Sequence, residues 1–142
     1  MKHHVVLRVI AKMVIPVIML FALYVQFHGD YSPGGGFQAG VIFAAAIILY
    51  SLVLGLDAAQ RAVSPRVLRV LAASGVLLYG GVGLTTIALG GNFLDYNVLS
   101  HDPVHGQHLG ILLVEMGVGM TVASTMLLIY FAFAGRPEER AP

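Results

Sequence analysis

Glu115 is the only carboxylate set well inside a long apolar run of this 142-residue chain. Counted six residues from Leu109, it lies about 9 Å below the near end of a helix that rises 1.5 Å per residue. An ionised, unpaired acid near a bilayer's middle costs roughly 2.5–3.5 kcal/mol, and less toward the surface. All eight lysines and arginines cluster away from this depth, so no cation of the same chain reaches it. Thr85 and Thr86 fall at the same depth on the preceding apolar run and are the nearest candidate partners. Two chemistries fit these residues. The carboxyl either stays protonated and hydrogen-bonds across helices, or exchanges protons and pairs with a cation from another subunit.

His101, His105 and His108 are spaced i, i+4, i+7 beside Asp102, a pattern that would line one helical face for a metal ion. Pro103 and Gly106 are expected to interrupt that helix, which leaves a solvated polar loop and no metal site. His28 sits beside Asp30 at the end of the first apolar run, as an interfacial polar residue or a titrating one. The absence of cysteine excludes disulfides and thiolate-held metal. Gly34-Gly35-Gly36 lacks the Lys-Ser/Thr of a phosphate loop, and no nucleophile–base constellation lies in the apolar runs. A formal charge of +1 without aromatic–basic interleaving gives no reason to invoke nucleic acid.

These groups must be carried by membrane helices. The chain is 58% hydrophobic and 11% charged, where soluble domains are about 25% charged. Four runs reach the roughly 20 residues that a 30 Å hydrocarbon core needs: about 5–27, 37–56, 67–89 and 109–134. The expected fold is an all-α membrane protein with four transmembrane helices, a single domain over 1–142 with a polar tail from 135. Pro16 removes one hydrogen bond from the first span and is expected to kink it. A cleaved signal peptide is the rival reading of that span, but no clear small-x-small site follows and three more spans do. The link 57–66 reads as short and polar, with Ser64-Pro65 as a helix start. Gly90-Gly91 reads as a helix stop.

Charge gives the orientation. Lys2, Arg8 and Lys12, then Arg61, Arg66 and Arg69, then Arg136 and Arg140 account for every basic residue, and the first and third links have none. The positive-inside rule therefore puts the N and C termini and the middle link in the cytoplasm. The first and third links then share the outer side.

The first link is the most distinctive stretch. Pro33 enforces a turn, and three glycines follow before Phe37, Gln38 and Gly40. Gly36-xxx-Gly40-xxx-Ala44 has the small-residue spacing that lets membrane helices approach closely, and Gly117-xxx-Thr121, with Gly119, repeats it. The stretch reads as a tight re-entry whose helix packs hard on a neighbour. Small faces on the later spans suit contacts with other membrane subunits or tight internal packing.

The stretch Phe27-His28-Gly29-Asp30-Tyr31-Ser32-Pro33-Gly34-Gly35-Gly36-Phe37-Gln38-Ala39-Gly40 resembles the signature of the MnhB family, small subunits of the multisubunit Na+/H+ antiporter of the Mrp or Mnh type. That family's motif runs approximately His-Gly-x-x-Ser-Pro-Gly-Gly-Gly-Phe-Gln-Gly-Gly; here Ala39 replaces the usual glycine and Asp30 a common histidine. Gly90-Gly91-Asn92-Phe93-Leu94-Asp95 and Glu115-Met116-Gly117-Val118-Gly119 are further matches. The resemblance implies a small non-catalytic subunit of a cation/proton antiporter in the cell membrane, without cofactors. It also implies Na+ and H+ as transported ions, with large partners that resemble proton-pumping subunits of respiratory complex I. The same module in a membrane-bound hydrogenase or ferredoxin-linked complex is an alternative, as is a self-sufficient homo-oligomeric channel or exporter. One intramembrane acid is thin equipment for a complete transporter, which favours the accessory role.

Overall fold

The computed structural model describes residues 5–29 and 35–136. Among these, every regular element is helical: α1 (Val5–Gln26), α2 (Gly36–Leu54), α3 (Leu56–Ala62), α4 (Pro65–Ala88) and α5 (Pro103–Ala134), with a 3-10 turn at Tyr96–Leu99. α1, α2, α4 and α5 are each long and apolar enough to cross a membrane. α1 continues through Pro16 as one helix.

Capping chemistry explains where the helices begin and end. The Ser64 hydroxyl accepts from the Val67 N–H at 3.3 Å, and Pro65 takes the first helical position of α4. Asp102 and Pro103 do the same for α5, with the carboxylate accepting from Val104 N–H at 3.0 Å. Pro103 therefore opens a helix where a break was expected, and α5 begins there and not at Leu109. α4 ends on Gly90, whose φ of +89° suits glycine. The Gly90 N–H reaches Ile87 O at 2.9 Å and the Gly91 N–H reaches Thr86 O at 3.0 Å, a Schellman closure.

The link after α2 also differs from expectation. Residues 56–62 are strong helix formers with Asp57 in the first turn and Arg61 in the last, and they form α3. Ala59 is fully buried against Ala44, Ile47, Leu68, Leu127 and Phe131, so this link is part of the core.

α5 is the central member. It packs along α4 on one side and α2 on the other, while α1 lies mainly against α2. Two glycines make both approaches possible. Residues two apart on a helix point about 200° apart, so Gly117 and Gly119 serve opposite neighbours. A Cβ at Gly117 would stand 2.8 Å from Gly75 O of α4, and one at Gly119 3.3 Å from Gly36 O of α2. Thr121 hydroxyl donates to Gly117 O at 2.8 Å and lies 3.4 Å from Ala72 O on α4. Tyr130 hydroxyl donates to Ser51 Oγ at 3.1 Å, which ties α5 to α2 at the other end. A second apolar cluster, Ala11, Ile15, Ala46 and Val53, joins α1 to α2. The outward face of α1, including Val9, Met13, Val17 and Leu20, is left exposed by the chain itself.

Candidate functional site

Glu115 faces the junction of α1 and α2. Its carboxyl occupies the space where a side chain on Gly29 would lie, and a Cβ on Gly35 would stand 2.8 Å from its Oε1. Gly35 is the residue before α2, held at φ +117°, and its N–H bonds to Val25 O at 3.3 Å, which closes the link onto α1. Gly36 lies directly against the backbone carbonyl of Glu115. Three chain segments thus converge on one acid: the end of α1, the start of α2 and the first half of α5. The opening N–H groups of a helix lack intrahelical partners, and the positive end of its dipole favours negative charge nearby. Although Glu115 is three turns inside α5, it is level with the α1–α2 link, because α4 and α5 run past that link.

Gln26, the last residue of α1, meets α5 at Gly119, one helical turn beyond Glu115. It is 8% exposed, and its Oε1 rests where a Cβ on Gly119 would be. Its amide nitrogen has no hydrogen-bond partner among the described residues. Sequence reasoning passed over Gln26. The available signal was a lone amide near the end of an apolar span.

The hydrogen bonds of Thr85 and Thr86 go elsewhere. Thr85 hydroxyl donates to Gly81 O at 2.7 Å, one turn back in its own helix. Thr86 is fully buried; its hydroxyl lies 2.8 Å from Gly83 O and 2.9 Å from Asn92 O, and accepts from Leu94 N–H at 3.0 Å. It pins the segment after α4, where Leu94 takes a positive φ of 60°. That segment seats the Phe93 ring on Gly83 and the Tyr96 ring on Gly110. The Tyr96 phenol is raised above its ordinary value of 10.0, first by burial and then by Tyr79 and Glu115.

His105 is helical and stands 3.9 Å from Asp102, both well exposed, while His101 precedes α5. Gly106 does not break the helix; Tyr96 O lies where its Cβ would be. No group of three metal-binding side chains converges among the described residues. The His28 ring stacks on Tyr24 at 4.5 Å between centroids, with Nε2 3.4 Å from the Tyr24 hydroxyl. Phe37 and Gln38 are on the first turn of α2, Phe37 well exposed, while Gly36 and Gly40 are buried against α5. Pro33, Gly34 and Asp30 lie outside the described residues.

The Glu115 carboxyl thus lies between the turn at Gly29 and the start of α2. The family described as "Domain related to MnhB subunit of Na+/H+ antiporter" matches residues 6–128 of this chain. A protein of Staphylococcus aureus strain Newman, named "Putative antiporter subunit mnhB2", is 31% identical over 137 residues, 94% of this chain and 96% of the relative. The counterpart in strain COL matches to the same extent. Glu115, its glycine turn and most of α5 fall within the matched region, and the chain belongs to the MnhB family of Na+/H+ antiporter subunits.

Proposed function

We propose that this chain is a non-catalytic membrane subunit of a multisubunit Na+/H+ antiporter, and that Glu115 takes part in coupling the two ion flows. The observation that carries the reading is the seating of the Glu115 carboxyl on Gly29 and Gly35, within the stretch that resembles the family signature. Coupling requires a group whose charge can change inside the protein, and an acid within an apolar span meets that need. The large ion-conducting subunits of such a complex are the partners, and Na+ and H+ are the transported ions. The termini and α3 face the cytoplasm by the distribution of lysine and arginine.

Vesicles containing the intact complex, with antiport followed by a pH-sensitive dye over a pH series, test the role of Glu115. Glu115→Gln keeps shape and hydrogen bonding but cannot ionise; Glu115→Asp keeps the acid and shortens its reach. The glutamine variant is expected to assemble yet lose Na+-dependent exchange or shift its pH profile, while the aspartate variant keeps part of the activity. A glutamine variant equal to wild type at every pH would make Glu115 a structural hydrogen-bonding residue.

A further inference from the structure

α5 and α2 end together but do not begin together. Gly135, just past the end of α5, packs against Leu56 just after α2, whereas Gly36 opens α2 against Glu115. Residues 103–114 of α5, about 18 Å of helix at 1.5 Å per residue, therefore project beyond the start of α2. One face of this projection is covered. Gly106 and Gly110 lie against Tyr96 of the 90–99 segment, and two turns farther on Gly117 lies against α4. At about 100° per residue, His108, Glu115 and Gly119 share the opposite face, within about 40° of one another. From Glu115 onward that face meets α1 and α2; before it, His108 is exposed.

His108 precedes Glu115 by two helical turns, about 10 Å along the axis. The Glu115 carboxyl leans toward it. Gln26 of α1 meets α5 at Gly119, whereas the carboxyl lies at Gly29, past the end of α1. Long helical side chains lean toward the N-terminus of their helix in this way. The other ionisable groups described around the projection are Asp102 and His105, 3.9 Å apart at its start, His101 before it, and His28 stacked on Tyr24. Asp95 and Tyr96 of the 90–99 segment and Tyr79 of α4 flank the covered side. The Tyr96 phenol, raised by burial and then by Tyr79 and Glu115, registers the Glu115 charge at this end of the bundle. Imidazole takes up and releases protons near neutral pH. His105 is turned about 80° away from Glu115, so of the two histidines within α5 His108 is the one on its face. We propose that His108 is the proton-exchange partner of Glu115, a role that rests on the reading of Glu115 as an ion-coupling acid. The reach of the two side chains shortens their separation to a span that water bridges. A proton leaves an imidazolium nitrogen, passes along the bridging water and ends on a carboxylate oxygen. The neutral imidazole then regains a proton from bulk water, and the reverse sequence carries protons away.

The test follows radioactive sodium flux in vesicles holding the assembled complex in weak buffer, in two modes. One is Na+/H+ exchange driven by a pH gradient; the other is Na+/Na+ exchange at equal pH, which moves no net proton. His108→Gln is expected to slow the first mode about tenfold, less than a placed acid gives in a bond-making step, because water also carries protons. The second mode should stay as in wild type. A membrane-impermeant zwitterionic buffer, raised on both sides, should restore the first mode by taking over proton delivery. His105→Gln should match wild type throughout. Rates are scaled to the complex assembled on native gels, so a lower yield does not enter. The proposal is overturned if His108→Gln matches wild type in weak buffer, slows both modes equally, or is not rescued by buffer. An equal effect of His105→Gln also overturns it. Glu115→Gln in the same vesicles separates the two readings: impaired exchange there beside a normal His108→Gln removes only the role of His108, whereas normal exchange there removes the role of Glu115 itself.

Discussion

The carboxyl of Glu115 fills the place of the side chain that Gly29 does not have. One residue lies in the turn after α1 and the other in the first half of α5, so the pair joins two stretches that resemble the family signature.

This relationship separates two neighbouring glycines. At Gly29 the obstacle to a Cβ is the tip of the Glu115 side chain, which can swing away; at Gly36 it is the Glu115 backbone, which cannot. Gly29→Ala is expected to leave the complex intact on native gels but to lower Na+-dependent exchange several-fold by displacing the carboxyl. Gly36→Ala is expected to reduce recovery of the complex itself. Equal effects on assembly would show that Gly29 serves only the turn.

The α2–α5 contact gives a second test. A Cβ at Gly40 would lie 2.8 Å from Gly119 O and 2.9 Å from Val122 Cβ. Gly40→Leu forces the helices apart at a cost of about 1–3 kcal/mol or more. Co-purification with partner subunits should fall sharply. Full recovery and full transport would mean that α2 and α5 need not be this close.

Thr86 should matter for the fold of the 90–99 segment. Its buried hydroxyl serves Asn92 O and Leu94 N–H, and Thr86→Val leaves these without a partner at about 1–3 kcal/mol. The thermal midpoint of the purified complex is expected to drop for valine and to remain near wild type for Thr86→Ser, which keeps the hydroxyl. A valine variant as stable as wild type would assign the anchoring to Phe93 and Tyr96.

Orientation is open to direct labelling because the chain has no cysteine. Ala62→Cys and His101→Cys are both at exposed positions, one at the end of α3 and one before α5. An impermeant thiol reagent applied to intact cells is expected to label the second and spare the first. The reverse pattern would invert the bundle.

The four spans were legible in the sequence because each is an apolar run of bilayer length, and such runs can satisfy their backbone only as helices. Glu115 stood out for the same reason, as an acid where acids are costly. Local signals were less decisive at the ends. Pro103 reads equally as a helix breaker or as a first helical residue, and only the Asp102 cap decides that it opens α5. Residues 56–62 look polar and short, yet Ala59 finds a buried seat that makes them helical core. The small-residue spacing of α5 announced close packing but not its direction. Gly117 turns to α4 and Gly119 to α2 because of the rotation between them, and the identity of each neighbour depends on how the helices assemble. Gln26 beside Gly119, and Glu115 on Gly29, are contacts between residues far apart in the chain. Periodicity within one helix carries no record of them; the close fit of glycine backbones across helices decides them.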